Sequence, residues 1–249
     1  MPAGSRPGSA RSRDPAVRPR RATMMSRTLP KRPPRVGRAE PPHALTARLF
    51  LLAYDPAKGR LTNRSKLGKA LRAAALIDLQ LRGNLADDND RPKVVAKAPP
   101  PTDDILAGIL AEISAIGPRK WRTWIDRRQR KIVRDVRDEL ARTQLIKVEP
   151  HRILGIFPAD RITIRHPLVR RQLLQRTTDV LRPSRLVTRV DLRDASLAVL
   201  ASTADFRTII SKESGRRHKD RLAQLAVRVG PVPAALKKSI QASAASAAG

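Results

Sequence analysis

The chain contains no cysteine among its 249 residues, which excludes a disulfide framework, thiolate nucleophiles and thiolate metal sites. Aromatic residues make up only 2%, so any core must be built from Leu, Ile, Val and Ala, and few rings are available to stack on nucleic-acid bases. No apolar run approaches the ~20 residues that a membrane-crossing helix needs; the longest, around Leu49 to Tyr54, reads as a short helix or strand. The basic N-terminus has no apolar segment behind it, as a secretory signal would. The pair Arg20-Arg21 is followed by Pro30, Pro33 and Pro34 where a twin-arginine signal carries its apolar stretch.

Catalytic motifs are equally scarce. The four histidines, His43, His151, His166 and His218, are scattered and fall at no metal-ligand spacing. Neither GxGxxG nor GxSxG occurs. Gly59 and Gly68 are nine apart, so Gly68-Lys69 does not close a phosphate loop, which needs five. Asp87, Asp88 and Asp90 lack the calcium-loop pattern and read as a solvated turn. The sequence therefore offers no catalytic residues, no metal site and no cofactor motif, and the expectation is a protein that is not an enzyme.

Acidic residues are also few, 22 against 52 Lys and Arg, for a net charge of +30. Such a surface attracts polyanions, either nucleic acid or the anionic face of a membrane. Residues 1–43 concentrate part of the excess: nine prolines, eleven basic residues and two acids, with almost no apolar side chains. This segment cannot bury enough surface to offset its ordering entropy, and the composition predicts a disordered basic tail. Met24 and Met25 are alternative start sites that would shorten it. The remainder still carries 41 basic and 20 acidic residues.

The pattern of the remainder predicts a mainly α fold: one compact helical domain over 44–242 with a buried central helix and a β-hairpin, then a fraying Ala/Ser-rich end, 243–249. The first element is Ala44 to Tyr54, followed by a turn at Asp55 to Gly59 and a short strand at Arg60 to Thr62. The central helix runs from an N-cap at Ser65 to Arg82, stopped by Gly83. Thr102-Asp103 caps a helix, Ile105 to Ile116, that ends at Gly117-Pro118. Trp121, Trp124 and Ile125 mark a short helix, and Lys131 to Leu145 a longer one. Apolar runs at 146–148 and 153–157 around Pro150-His151-Arg152 read as the hairpin, which Ile162 to Ile164 extends. A helix opens at His166-Pro167 and runs to Leu181. Leu192 to Ile240 is mostly helical, with breaks near Gly215 and at Gly230 to Pro233.

The central helix is apolar on nearly every side, which places it inside the fold. It nevertheless carries Arg72, Asp78 and Arg82. Asp78 and Arg82 are four apart and can pair. Arg72 has no opposite charge three or four residues away, so it is expected to face an anionic ligand. On the helix from Lys131, Arg134 and Arg137 share one edge beside the apolar stripe, from which two guanidinium groups can grip a phosphate. Asp135, Asp138 and Glu139 offer the alternative of surface ion pairs.

The run LFLLAYDPAKGRLTNRSKLGKALRAAALIDLQLRGNL resembles the opening of the Golgi phosphoprotein 3 family, above all in its LR-x-x-x-LI-D-L-x-LRG-x-L core. VRDVRDELARTQLIKVE is similar to the family's Arg-x-x-Arg helix and the hairpin behind it, and Ile162 to Leu174 matches as well. The resemblance spans Leu45 to Ile240. It implies a peripheral membrane protein that binds phosphatidylinositol 4-phosphate through three arginines, corresponding here to Arg72, Arg134 and Arg137. It implies no cofactor. The family's headgroup tryptophan, nine residues before the first arginine, is Asn63 here. The 145–157 hairpin corresponds to a self-association element, and membrane-protein clients are further implied partners. The expected location is the cytoplasm, at the cytoplasmic face of a membrane. The rival reading is a basic winged-helix-like nucleic-acid-binding protein; the acids interleaved with Arg134 and Arg137 disfavour it.

Overall fold

A computed structural model of the chain describes residues 40–153 and 157–247, side chains excepted over 151–159. The tail predicted over 1–43 lies outside the described residues, apart from its last four.

Ten α-helices and three two-stranded antiparallel ladders are found among the described residues. Helix α1 (Leu45–Ala53) is buried along its whole length. Its first turn is capped at long range: the Leu45 N–H donates to Asp78 Oδ2 at 2.9 Å. Strands β1 (Tyr54–Asp55) and β2 (Arg60–Leu61) pair across a turn in which Asp55 Oδ1 accepts from the Ala57 N–H at 3.0 Å.

Helix α2 (Arg64–Leu81) is the predicted central helix, buried without a break from Leu67 to Leu79. It packs against α1, α3 (Asp104–Ile116), α4 (Trp121–Asp126), α5 (Gln129–Arg142), α7 (Leu192–Thr203) and α10 (Val232–Ser246). Its N-cap is not Ser65 but Asn63, whose backbone takes the left-handed conformation (φ +49°) that Asn tolerates. Asp78, fully buried, accepts from Arg82 Nε at 3.2 Å and Arg193 at 2.7 Å. The expected pair forms, and a third partner from α7 joins it.

Strands β3 (Leu85–Asp87) and β4 (Pro92–Val94) form the second ladder. Asp103 Oδ1 accepts from the Leu106 N–H at 2.9 Å and caps α3. The hairpin differs from the expectation. Strand β5 (Ile146–Ile153) runs straight through Pro150-His151-Arg152 and pairs with β6 (Phe157–Ile164) from Ile146↔Ile164 to Ile153↔Phe157. The connection therefore falls at 154–156, outside the described residues, and Ile162 to Ile164 is the partner strand itself. The tip of the element assigned to self-association lies in that gap.

Pro167 opens α6 (Pro167–Asp179). The break expected near Gly215 falls at His218, which follows α8 (Lys212–Arg217), and a longer one at 204–211 separates α8 from α7. Helix α9 (Lys219–Val229) ends at Gly230, whose φ of +103° suits glycine alone. Helix α10 continues to Ser246, past the expected fraying point at 243. Buried Lys69 on α2 holds it there, donating to the Ser239 carbonyl at 2.8 Å and to Ser243 Oγ and pairing with Asp126 at 3.1 Å. Among the described residues no helix is long and apolar enough to cross a membrane.

Candidate functional site: an arginine-lined cleft between α2, α3 and α5

Arg72 leaves α2 in the middle of the fold, its side chain only 3% exposed. Its Nε donates to the Trp124 carbonyl at 3.0 Å. That carbonyl belongs to the last turn of α4, where the helix's own donors have run out, so Arg72 acts as a C-terminal cap from another element. Its other face meets a carboxylate, with Arg72 Nη2 3.2 Å from Glu112 Oε2.

Glu112 is the one charged residue between Ile105 and Ile116 on α3. Two more guanidinium groups reach it from the α4–α5 junction: Arg127 Nε at 3.0 Å and Arg128 Nε at 3.2 Å, both to Oε1. Three arginines thus share one carboxylate. Burial by itself would raise the Glu112 pKa; the hydrogen bond from Arg127 and the charges of Arg72, Arg127 and Arg128 outweigh it and hold the carboxyl below its ordinary value. Burial pulls the Arg72 pKa down, with Glu112 opposing.

The junction is held by close packing. A Cβ on Gly68 would sit 2.6 Å from the Gln129 carbonyl oxygen and 2.8 Å from Gln129 Cβ, so only glycine lets the start of α5 rest on α2. Arg128 adopts φ +46°, a left-handed backbone uncommon for a residue with a Cβ. Arg127 lies over the buried Trp124 ring, 5.8 Å from its centroid.

Arg72, Glu112, Arg128 and Lys131 line a cleft of about 420 Å³, with Gly108 and the half-exposed Ile116 also on its walls. Lys131 pairs with Asp135 at 2.7 Å on the same edge of α5. A larger hollow of about 690 Å³ lies between the β3–β4 turn and the end of α3, but the charged side chains lining it, Asp88, Arg91 and Lys93, are exposed.

The expected trio of Arg72, Arg134 and Arg137 is not brought together. Helix α5 buries Ile132, Val136 and Leu140 and turns the edge bearing Arg128, Lys131 and Asp135 to the cleft. At 100° per residue, Arg137 falls on the opposite edge and Arg134 on the back of the helix, away from the buried stripe. Arg134 is exposed there. Arg137 pairs with Asp138 at 2.8 Å and with Asp160 on β6. Asn63 does not face the cleft either: its Nδ2 donates to the Ala204 carbonyl at 2.7 Å, so it pins the start of α2 to the end of α7. Glu112, Arg127 and Arg128 were missed in the sequence, although a lone acid within an apolar helix was a signal for the first. Among the described residues no group of three or more His, Asp or Glu side chains is gathered to hold a metal ion.

The fold is thus a mainly helical one, packed around a central helix, with an arginine-lined cleft beside that helix. The model of the Golgi phosphoprotein 3 (GPP34) family matches residues 45–243, and the chain belongs to this family. It is not a family of known enzymes. No curated protein matches the chain.

Proposed function

We propose that the chain is a non-catalytic peripheral membrane protein that takes the phosphorylated headgroup of a phosphoinositide, phosphatidylinositol 4-phosphate in particular, into the cleft around Arg72 at the cytoplasmic face of a membrane. The observation that supports this reading is the convergence of Arg72, Arg127 and Arg128 on a single anionic group beside an open cleft. Guanidinium forks suit phosphate oxygens better than lysine does. The basic surface draws the protein to an anionic leaflet, each near-surface Lys or Arg adding ~1 kcal/mol. Arg134, on the outer edge of α5, contributes to that general attraction and not to headgroup choice.

Liposome co-sedimentation tests the reading. The protein is expected to prefer vesicles containing phosphatidylinositol 4-phosphate over phosphatidylserine vesicles of matched charge. Arg128→Ala with Lys131→Ala should remove the preference. Equal binding of the unmutated protein to both vesicles would refute a headgroup site. Salt-resistant binding to duplex DNA, stronger than to either vesicle, would favour the nucleic-acid reading instead.

A further inference from the structure

Two large apolar side chains stand in solvent beside a cluster of arginines. Val227 on α9 is 82% exposed, and Leu186, just ahead of a single 3-10 turn (Val187–Arg189), is 60% exposed. Val227 lies about 170° around the helix from the buried stripe of Leu222, Leu225 and Val229. Leu186 is held out by clamps on its own backbone. Arg221 donates to the carbonyls of Val180 and Arg185, each at 2.6 Å. Arg228, seven residues on and on the same side of α9, donates to those of Val187 and Val190. The neighbour of Val227 thus grips the neighbour of Leu186, which brings both apolar side chains onto one stretch of surface.

Its charge is nearly all of one sign. Residues 180–190 contain three arginines and no acid. Arg182 pairs with Asp179 at 2.9 Å, whereas Arg185 and Arg189 are exposed and pair with no carboxylate among the described residues. The one acid of α9, Asp220, lies seven residues before Val227, about 10 Å along the helix. We propose that this surface, Leu186 and Val227 bordered by Arg185 and Arg189, docks an acidic amphipathic segment of a partner protein. The partner's apolar stripe covers the two side chains and its carboxylates meet the two guanidinium forks. The clamped loop is ordered before binding, which lowers the entropic cost of association. Nucleic acid offers phosphates to the arginines but little to the apolar pair. A bilayer offers partners to both, but the surface is turned from the cleft. Arg72 lines the cleft, whereas Asp78, about 120° around α2, meets Arg193 at the start of α7, and α9 packs on α7. With the cleft at the membrane the surface stays open to the cytoplasm, so the choice of a protein over a bilayer rests on the headgroup reading.

Fluorescence anisotropy of the full chain tests this with a labelled helical peptide bearing a leucine stripe bordered by glutamates. Saturable binding is expected, weakened at least about tenfold by Leu186→Ser with Val227→Ser and by Arg185→Glu with Arg189→Glu. All four side chains are exposed, and circular dichroism checks that both variants fold. Two altered peptides, lysine for glutamate and serine for leucine, should each lose binding to the unmutated protein, a readout that needs no variant. No binding of the glutamate peptide, equal binding of the altered peptides, or binding that either folded variant leaves unchanged would overturn the proposal. So would displacement of the peptide by equimolar duplex DNA, or a dimer in analytical ultracentrifugation that Leu186→Ser with Val227→Ser abolishes. Loss of sedimentation with phosphatidylserine vesicles in that same variant would assign the surface to the bilayer and overturn it too. Peptide binding by a protein that sediments with no vesicle would uphold the docking surface and refute the headgroup reading.

Discussion

Two glycines one helix apart should respond to the same substitution with opposite signs. Gly68→Ala in α2 places a Cβ 2.6 Å from the Gln129 carbonyl oxygen, about 0.8 Å short of ordinary contact, and the neighbouring atoms are backbone and Cβ, which cannot swing aside. Relieving the overlap means lifting the start of α5, so the upper part of the range for overpacking applies, ~2–3 kcal/mol. The gain in helix propensity returns only ~1 kcal/mol, so a net loss of about 1–2 kcal/mol is expected. Gly108→Ala in α3 meets nothing within 4 Å and should keep most of the same ~1 kcal/mol as a gain. For a domain of this size 1 kcal/mol moves Tm by ~2–4 °C. Thermal unfolding by circular dichroism should therefore show Gly68→Ala melting about 2–8 °C lower and Gly108→Ala a few degrees higher. A neutral or stabilising Gly68→Ala would refute the close approach of α2 and α5, and with it the placement of Arg128 over Glu112.

Three further outcomes follow from the charged groups. Asp78→Ala removes the buried acceptor of Leu45, Arg82 and Arg193; loss of a buried ionic partner costs ~3–5 kcal/mol, and the lower end is expected in urea titration because both arginines keep some exposure. Glu112 has its folded pKa held below the ordinary value, so its contribution to stability is full above the unfolded Glu pKa of ~4.3 and is lost as the pH falls through the folded value. The stability gap between the unmutated protein and Glu112→Gln should stay constant above about pH 5 and shrink in stronger acid; a gap that widens on acidification would contradict the sign. Arg134→Ala with Arg137→Ala should weaken sedimentation with all anionic vesicles by a similar factor, leaving the preference among them intact. Selective loss of phosphoinositide binding would return these two residues to the headgroup site.

What was legible in the sequence was whatever depends on local pattern. The predominance of apolar residues on nearly every side from Leu67 to Leu79 marks the central helix, and Asp78 and Arg82, four apart, mark their pair. What remained hidden depends on long-range packing. The apolar stripe Ile132, Val136, Leu140 has two flanking edges, and nothing local says which one meets Arg72. The family pattern suggested the edge of Arg134 and Arg137; the packing of α5 on α2 and α3 selects that of Arg128 and Lys131. Nothing local marks Lys69, because its partners, Asp126, Ser239 and Ser243, lie in α4 and α10. The hairpin register is hidden for a local reason: Pro150 reads as a turn residue, whereas in the fold it sits in β5 opposite Asp160.

The most direct test of the cleft is to watch backbone amide resonances while inositol 1,4-bisphosphate is added to the ¹⁵N-labelled protein. Saturable shifts confined to Gly108, Glu112, Arg127, Arg128 and Lys131 are expected. Shifts centred on Arg134, Arg137 and Asp160, or none at ligand concentrations in the millimolar range, would contradict the assignment of this cleft as the phosphate site.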